Sequence, residues 1–444
     1  MIWLIVGLGF FAFIIGWYYT RKPTPSAADN AAVEAVETLS SKKDDADVFV
    51  QRVPILNNQQ KIIGYQLSPE RIGKVVQQGD AEYFHLLIAM ISHYDFSELG
   101  DGKKIYVKVS AEVLESEEIS LFPARGTVLI ISADTNQTGL LDSCKRLKQL
   151  GYQFALLSKG GVEINHELLN IADFVIIDDR DKAENIETWI HAIRGKQLRI
   201  IVSNIQSQDQ HERIKEFGVN GYQGFYFSEP ETLSNTEIGT QIKHIMHLFN
   251  LVNSKAEPEE IEKAFKLDPS LSFNILRYIN SAGFGFRNEV SSIKSALVFL
   301  GYEKLARWLG VLLALSDDID HEAQDALFVL ATRRARLMEL LGEKSFSDEE
   351  RDGLFMTGMF SLLTTLLGMP MDKIVANLHL PEDVLNALLH QKGPCQKVLA
   401  LAIACEQSTL EAITPLAEEL GLSPMDVNNK QLESIQWSNS LKAI

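Results

Sequence analysis

The sequence predicts two folded regions of different class, an α/β barrel followed by an all-α helical bundle, preceded by one transmembrane helix. Three observations predict this order. Residues 1–20 carry no charged side chain, residues 48–240 alternate short β-rich runs with helix-period segments, and the strand signal disappears from residue 241 onward. With 444 residues, the chain has room for two or three domains that each bury a core.

The apolar segment 1–20 has the length of a membrane-spanning helix, since about 1.5 Å per residue covers a bilayer core of roughly 30 Å. Trp17–Tyr19 stand where an interfacial aromatic belt would lie, and Arg21 and Lys22 follow them. A cleavable signal peptide would need positive charge before the apolar run and small residues at its end, and both are missing. The charge order predicts a single-pass protein of the inner (cytoplasmic) membrane, with a flexible linker over 21–47 and the soluble domains in the cytoplasm.

The region 48–240 is predicted to form a parallel sheet that closes, or nearly closes, into a barrel. Its β-rich runs are nearly continuous in apolar residues, as expected for strands that are covered on both faces. They lie at 48–56, 61–67, 104–109, 127–132, 152–157, 174–178, 198–203 and 222–227. Helix-period segments between them produce the βαβα order of a (β/α) barrel.

The region 241–435 is predicted to be a helical bundle, because glycine and proline signals separate helix-period segments there. In the stretch 267–308 the apolar residues recur three and four positions apart, which predicts buried helix faces. These residues are Leu271, Phe273, Ile275, Leu276, Ile279, Ile293, Ala296, Leu297 and Leu300.

A formal net charge of −17 and a pI near 5.1 argue against nucleic acid as a partner of the whole surface. The densest basic cluster, 332–336, lies inside an apolar-periodic helix, so a solvated helix face is favoured over a phosphate site. The three cysteines have neither metal-ligand spacing nor an even count, which fits a reducing compartment.

Segments 49–67, 172–175 and 221–230 resemble the EAL domain, a (β/α)-barrel family that hydrolyses cyclic di-GMP with divalent metal ions. The resemblance implies oxygen ligands, mostly carboxylates, at the C-terminal ends of the strands. Most of the family's site positions fall on other residue types here: Gln66, Lys108, Ile130, Leu157, Ser158, Ile176, Ser203 and Gln206. Gln223 and Asp178 keep the family's residue type. We therefore expect a degenerate EAL-like barrel with no catalytic residue, no metal and no cofactor.

Two alternatives remain for the barrel. Leftover carboxylates at strand ends are interpreted as helix caps rather than as a minimal cation site: Asp134, Asp178 and Asp179. Cyclic di-GMP is a possible ligand that would be bound without hydrolysis, for which the basic and aromatic candidates are Lys108, Lys159 and Tyr65.

Segments 267–308 and 353–367 resemble the HDOD domain, an all-α signalling module related to metal-dependent HD hydrolases but without their metal ligands. Ser361 and Leu362 occupy the positions of the hydrolases' adjacent His-Asp pair. His244 and His247 lie one helical turn apart, and a helix-surface or interdomain role is favoured for them over metal binding.

Polar residues in the same region that periodicity does not require suggest two roles. Asn280 and Ser292 are interpreted as internal hydrogen-bonding groups. Arg277, Arg307 and Trp308 are the candidate partner-binding residues, because arginine and tryptophan often dominate protein interfaces.

The leading hypothesis is a membrane-anchored signal-transduction or scaffold protein that is not an enzyme and acts on unidentified protein partners. The alternative is a cyclic di-GMP receptor that does not hydrolyse its ligand, and a residual cyclic di-GMP phosphodiesterase is the third possibility.

Overall fold

The computed structural model describes most of the chain after residue 47, and residues 46–444 cluster into one compact unit. The described residues are 48–72, 83, 86–89, 96–133, 139–158, 165–178, 180, 186–187, 189–191, 196–229, 238–279, 290, 292–315, 323–407 and 409–441. The transmembrane helix predicted over 1–20 and the linker predicted over 21–47 lie outside these residues.

The predicted membrane location requires a correction. Within the described ranges, no helix is both long enough and apolar enough to cross a bilayer. The described residues therefore give no support to the predicted single-pass inner-membrane location, and the segment 1–20 on which it rests lies outside them.

The predicted barrel is confirmed, because eight strands close in chain order. The strands are β1 (Val48–Asn57), β2 (Ile62–Arg71), β3 (Lys104–Lys108), β4 (Thr127–Ser132), β5 (Gln153–Leu157), β6 (Phe174–Asp178), β7 (Arg199–Ile205) and β8 (Gly221–Gly224). From β2 to β8 neighbouring strands are parallel, whereas β1 is antiparallel to both of its neighbours. The turn between β1 and β2, residues 58–61, is too short for the crossover that a parallel pair needs.

The barrel interior is filled by apolar side chains, so the barrel is a packed core and not a pore. The buried interior residues are Ile55, Tyr106, Val128, Ile130, Ala155, Phe174, Ile176 and Ile201. Described helices around the strands are α1 (Phe96–Gly100), α2 (Ala111–Glu115), α3 (Leu140–Gln149), α4 (His166–Ile171) and α5 (Gln208–Lys215).

The remainder of the described chain is helical, as predicted. Its helices are α6 (Thr240–Asn253), α7 (Pro258–Lys266), α8 (Pro269–Ile279), α9 (Ile293–Ala314), α10 (Gln324–Leu341), α11 (Asp348–Phe360), α12 (Leu363–Leu367), α13 (Met371–Val375), α14 (Glu382–His390), α15 (Pro394–Gln407), α16 (Leu410–Glu419) and α17 (Pro424–Leu441). Ser292 caps α9 by accepting a hydrogen bond from the Ser295 backbone N–H, and α9 is kinked at Gly301, whose φ is +77°. A positive φ favours glycine, which explains the residue type at this kink.

One residue of the predicted buried faces is placed differently. Leu271 and Ile275 in α8 are buried, but Phe273 is 64% exposed. Phe273 lies two positions from each of them, which is more than half a turn around a helix. The apolar count along α8 therefore overestimates the width of its buried face.

Strand β1 joins the barrel to the helical region through its backbone. β8 pairs only with Ile55–Asn57, so the earlier part of β1 has an unpaired edge on that side. The Asn428 side chain in α17 accepts a hydrogen bond from Val50 N (2.9 Å) and donates one to Val48 O (2.9 Å). Gln431 donates to Val50 O at 3.0 Å. These amide side chains satisfy strand groups that would otherwise be buried without partners.

The side chain of Phe49 joins the two regions a second time. It is fully buried and belongs to a core cluster whose other buried members, among them Leu337, Met338 and Val398, come from the helical region. The barrel and the helices described here thus share a hydrophobic core across β1.

Candidate functional site

A cavity of about 330 Å³ opens at the C-terminal ends of the barrel strands, and we call it the barrel mouth. Its lining includes seven of the eight predicted site residues: Gln66, Lys108, Ile130, Leu157, Ile176, Ser203 and Gln206. Parallel strands of a closed barrel end at the same rim, which is why residues far apart in sequence meet there. The eighth, Ser158, does not line the cavity, since its hydroxyl is buried and accepts a hydrogen bond from the Trp189 indole at 2.6 Å.

Among the described residues of the barrel, Asp178 is the carboxylate that lines the mouth. Its oxygens already accept hydrogen bonds from neighbouring residues. Arg180 donates to it from its backbone N–H and from its guanidinium, and the Asn204 amide donates at 2.7 Å. Burial alone would raise the pKa of Asp178, but the hydrogen bonds from Arg180 and Asn204 lower it below its ordinary value. Two other predicted carboxylates, Asp134 and Asp179, lie outside the described residues.

The residues at the mouth do not fit the two divalent cations that the EAL resemblance implies. The Gln66 carbonyl oxygen accepts a hydrogen bond from the Gln223 amide at 2.8 Å, and neither group carries charge. Within the described part of the chain, no three His, Cys, Asp or Glu side chains come close enough to hold a metal ion together. Hard cations such as Mg²⁺ require carboxylate-rich oxygen sites, so we derive no step that uses a metal.

Two exposed cations line the described part of the mouth, Lys108 and Arg180, and Arg180 is paired with Asp178. Lys108 makes no ion pair with the residues that the structure describes. Of the other two predicted ligand-binding candidates, Lys159 lies outside the described residues. Tyr65 is buried at 1% exposure and does not line the mouth, because alternate residues of a strand face opposite sides and Gln66 takes the inner side.

The helical region contributes two residues to the same cavity, Glu406 and Gln407, at the end of α15. Arg334 in α10 holds the Glu406 carboxylate by two hydrogen bonds of 2.9 Å and 2.6 Å. A third hydrogen bond of 2.8 Å runs from Arg334 to the Ser361 hydroxyl. Ser361, at the position that corresponds by resemblance to a metal ligand of HD hydrolases, thus accepts a hydrogen bond here. Sequence reasoning did not find Glu406, since no local pattern relates α15 to the strand ends.

The prediction that 332–336 is a solvated helix face is wrong. Thr332 is fully buried, Arg334 is 4% exposed, and Arg333 and Arg336 bind groups of other elements. The face packs against the barrel and α17, where the arginines find acceptors that helical periodicity alone does not reveal.

Two of the three candidate partner-binding residues are engaged within the chain. Arg307 donates to Asp352 (2.7 Å) and to Glu339 (2.6 Å). Trp308 is only 9% exposed and stacks on Tyr278, with 6.2 Å between ring centroids.

Arg277 differs from these two residues. It is exposed beside the exposed Phe273, with its guanidinium carbon 5.9 Å from the ring centroid. A partner contact at Arg277 stays a prediction.

The family model described as the HDOD domain matches residues 239–370. This segment is therefore similar to HDOD domains, and we refer to residues 239–370 as the HDOD domain. The match begins one residue before α6 and ends at Pro370, so it includes α8, α9 and the two carboxylates bound by Arg307, whereas Glu406, the partner of Arg334, lies beyond it.

Two curated proteins match along most of the chain. An uncharacterized protein of Bacillus subtilis, YuxH, is 26% identical over 413 residues, which cover 89% of this chain and 98% of that protein. The cyclic di-GMP phosphodiesterase CdgJ of Vibrio cholerae is 25% identical over 415 residues, which cover 89% of this chain and 93% of that protein. The chain is thus similar to whole proteins, from the barrel through the HDOD domain.

Among solved structures, the FimX EAL domain of Pseudomonas aeruginosa bound to cyclic di-GMP is 18% identical. The similarity covers 46% of this chain and 96% of that chain with a TM-score of 0.33. At this identity and score, the likeness adds nothing to the barrel fold described above.

The prediction that the chain is not an enzyme is wrong as a general exclusion. CdgJ, which matches over nearly its full length, is named a cyclic di-GMP phosphodiesterase. The named activity is that of CdgJ, and the family match of this chain covers residues 239–370.

Replacing Arg307 with methionine tests whether this residue serves the fold of the HDOD domain. We expect a loss of about 1–2 kcal/mol in the free energy of unfolding at neutral pH, because Asp352 would lose its cation. Burial raises the pKa of Asp352 even with Arg307 present, so the loss should shrink as the pH falls and Asp352 binds a proton. Urea denaturation at several pH values measures both effects.

The matched control for this variant is Arg351→Met. Arg351 pairs with Asp348, whose side chain is 95% exposed, and such a surface pair contributes at most about 1 kcal/mol. Equal effects of the two substitutions at every pH would contradict the assigned role of Arg307.

Proposed function

We propose that this chain is a cyclic di-GMP signalling protein in which the barrel mouth binds the nucleotide. The observation that carries the proposal is Lys108, an exposed cation at a mouth that is otherwise lined by amides, hydroxyls, apolar side chains and carboxylates already paired with arginines. A volume of about 330 Å³ lies in the usual range of small-molecule sites, roughly 300–1,000 Å³.

The chemistry of the mouth suits the two parts of cyclic di-GMP. Each phosphodiester group of the ligand carries one negative charge, which Lys108, a lysine with no ion-pair partner among the described residues, can bind. The guanine edges carry both donors and acceptors, which side-chain amides such as Gln51, Gln206 and Gln223 can match in either orientation. The carboxylates at the mouth, Asp178 and Glu406, are both held by arginines, which reduces their repulsion of an anionic ligand.

The HDOD domain would respond to occupancy of the mouth, since α15 reaches the cavity and is tied to α10 by the Arg334–Glu406 pair. We propose that this contact transmits the liganded state to a protein partner, with Arg277 as the exposed candidate contact. The proposed domain division remains 48–240 and 241–435, with Phe49 in β1 packing across it.

Titration calorimetry of the full chain with cyclic di-GMP tests the mouth. We expect saturable binding of one ligand per chain, and Lys108→Met should weaken it by about ten-fold, which corresponds to about 1.4 kcal/mol. The control is Lys103→Met, an exposed lysine that precedes the opposite end of the same strand. It should leave the affinity unchanged.

The same samples should be assayed for the linear dinucleotide product with added Mg²⁺ or Mn²⁺. Any turnover is expected to fall with Lys108→Met, because binding and cleavage would use one site. Absence of saturable binding, or equal affinities for the Lys108 and Lys103 variants, would refute the proposed site.

A further inference from the structure

A second cavity, of about 70 Å³, lies between the barrel and the helices. It shares few lining residues with the barrel mouth. Its walls include Arg52 of β1, Tyr65 of β2 and Arg333 of α10. We call it the interdomain cavity. It is several times larger than the space that one water molecule needs, and far smaller than a site for a nucleotide.

Arg52 is a buried cation with an unused donor. The residue is 7% exposed, and its Nε donates to Leu99 O at 2.6 Å. Its guanidinium carbon lies 3.2 Å from the centroid of the Tyr65 ring. Its terminal nitrogen Nη2 is buried and has no hydrogen-bond partner among the described residues. An unsatisfied buried donor is costly for a charged group.

Arg333 approaches the same tyrosine from the HDOD domain. Its guanidinium carbon lies 5.4 Å from the Tyr65 ring centroid, and its Nη1 donates to the Tyr65 hydroxyl at 3.4 Å. Its Nε is buried and has no partner among the described residues. Arg52 and Arg333 therefore both line the cavity, and each keeps a buried donor that has no partner among the described residues.

The charges around the interdomain cavity do not balance. Arg334 pairs with Glu406, whose carboxylate also attracts Arg333, and Asp101 lies 3.9 Å from Arg333, so among the described residues three arginines share two carboxylates. Burial, and after it the proximity of Arg333, lower the pKa of Arg52 to about 9, although Tyr65 and Asp101 oppose the shift. A bound anion would supply the missing charge and accept the unused hydrogen bonds.

We propose that the interdomain cavity binds one small inorganic oxyanion, of the phosphate or sulfate class, between Arg52 of the barrel and Arg333 of the HDOD domain. Guanidinium groups match the geometry of oxyanions better than that of spherical ions, because each presents a planar fork of donors. Since the two arginines come from different domains, the bound anion strengthens the contact between them.

Titration calorimetry of the full chain with inorganic phosphate tests the proposal, with ionic strength held constant by sodium gluconate, whose anion is too large for the cavity. One phosphate should bind per chain, and Arg52→Met and Arg333→Met should each weaken binding by at least about ten-fold. The thermal midpoint should rise with phosphate concentration in the wild type and not in the two variants. Arg199→Met, an exposed arginine at the start of β7, should bind phosphate as the wild type does.

Each outcome decides the proposal. If Arg52→Met fails to fold by circular dichroism, Arg333→Met, whose side chain is 13% exposed, provides the decisive measurement. Absence of saturable phosphate binding, or wild-type affinity in the folded variants, overturns the site. Chloride that binds as tightly as phosphate overturns the assignment to an oxyanion.

Discussion

Replacing Phe49 with alanine is expected to lower the free energy of unfolding by about 3–5 kcal/mol, the cost of emptying a large aromatic position in a packed core. The Phe49 side chain is fully buried among residues of the helical region, although its backbone belongs to β1 of the barrel. The cavity left by the substitution would lie where β1 of the barrel packs against the helical region. We therefore expect both regions to lose stability together and not the barrel alone.

Urea denaturation followed by circular dichroism and by tryptophan fluorescence measures this effect, since coincident transitions show that the two regions unfold together. The matched control is Phe273→Ala, the same chemical change at a site that is 64% exposed. It should alter stability by no more than about 0.5 kcal/mol. Similar losses for both variants would show that Phe49 does not pack in the shared core.

Replacing Arg334 with methionine is expected to cost about 3–5 kcal/mol, because removal of one partner leaves the other charge of a buried pair uncompensated. The Arg334 side chain is 4% exposed and the Glu406 side chain 12%. Burial raises the pKa of Glu406 in the intact protein, although Arg334 opposes the shift. Loss of Arg334 should raise this pKa further.

The pH dependence of the Arg334 variant follows from that direction. A carboxyl group with a higher pKa in the folded state stabilises the fold below its unfolded pKa, and the stabilisation is lost as the pH rises through the folded pKa. The deficit of Arg334→Met relative to the wild type should therefore be largest at neutral pH and shrink in mild acid. Chemical denaturation at a series of pH values measures this dependence.

Two further variants serve as controls for Arg334. The double variant Arg334→Met, Glu406→Leu should recover most of the lost stability, since apolar replacements of a buried ion pair are often neutral. Lys397→Met breaks a pair with Glu419 whose side chains are 57% and 50% exposed, and should cost at most about 1 kcal/mol. A double variant as unstable as the single one would contradict the proposed cause.

The strands were predictable because each is an apolar run bounded by polar or glycine-containing turns, and every predicted run coincides with a strand of the barrel to within a few residues. The residues of the mouth were predictable for a related reason. Lys108 and Ser203 occur at or near the C-terminal ends of their strands, and Gln66 lies near the end of the segment of β2 that pairs with β3; a closed barrel brings these positions to one rim.

Long-range contacts were not predictable, because neither periodicity nor composition records which element packs against which. Trp308 and Arg307 have the residue types of an interface, yet one is buried against Tyr278 and the other binds two carboxylates of its own chain. The sequence alone predicts that the arginines of α10 form a solvated helix face, because their acceptors lie on other elements.

The linear pattern of this chain determines its elements, because hydrophobic burial depends on the spacing of apolar residues along a helix or strand. It also determines which side chains stand at the barrel mouth. The meeting of Arg52 with Arg333 around Tyr65, the closure of the mouth by Glu406, and the insertion of Phe49 into the helical core arise only when distant elements pack. These contacts join residues hundreds of positions apart, and their energies depend on burial and charge balance that no local segment carries.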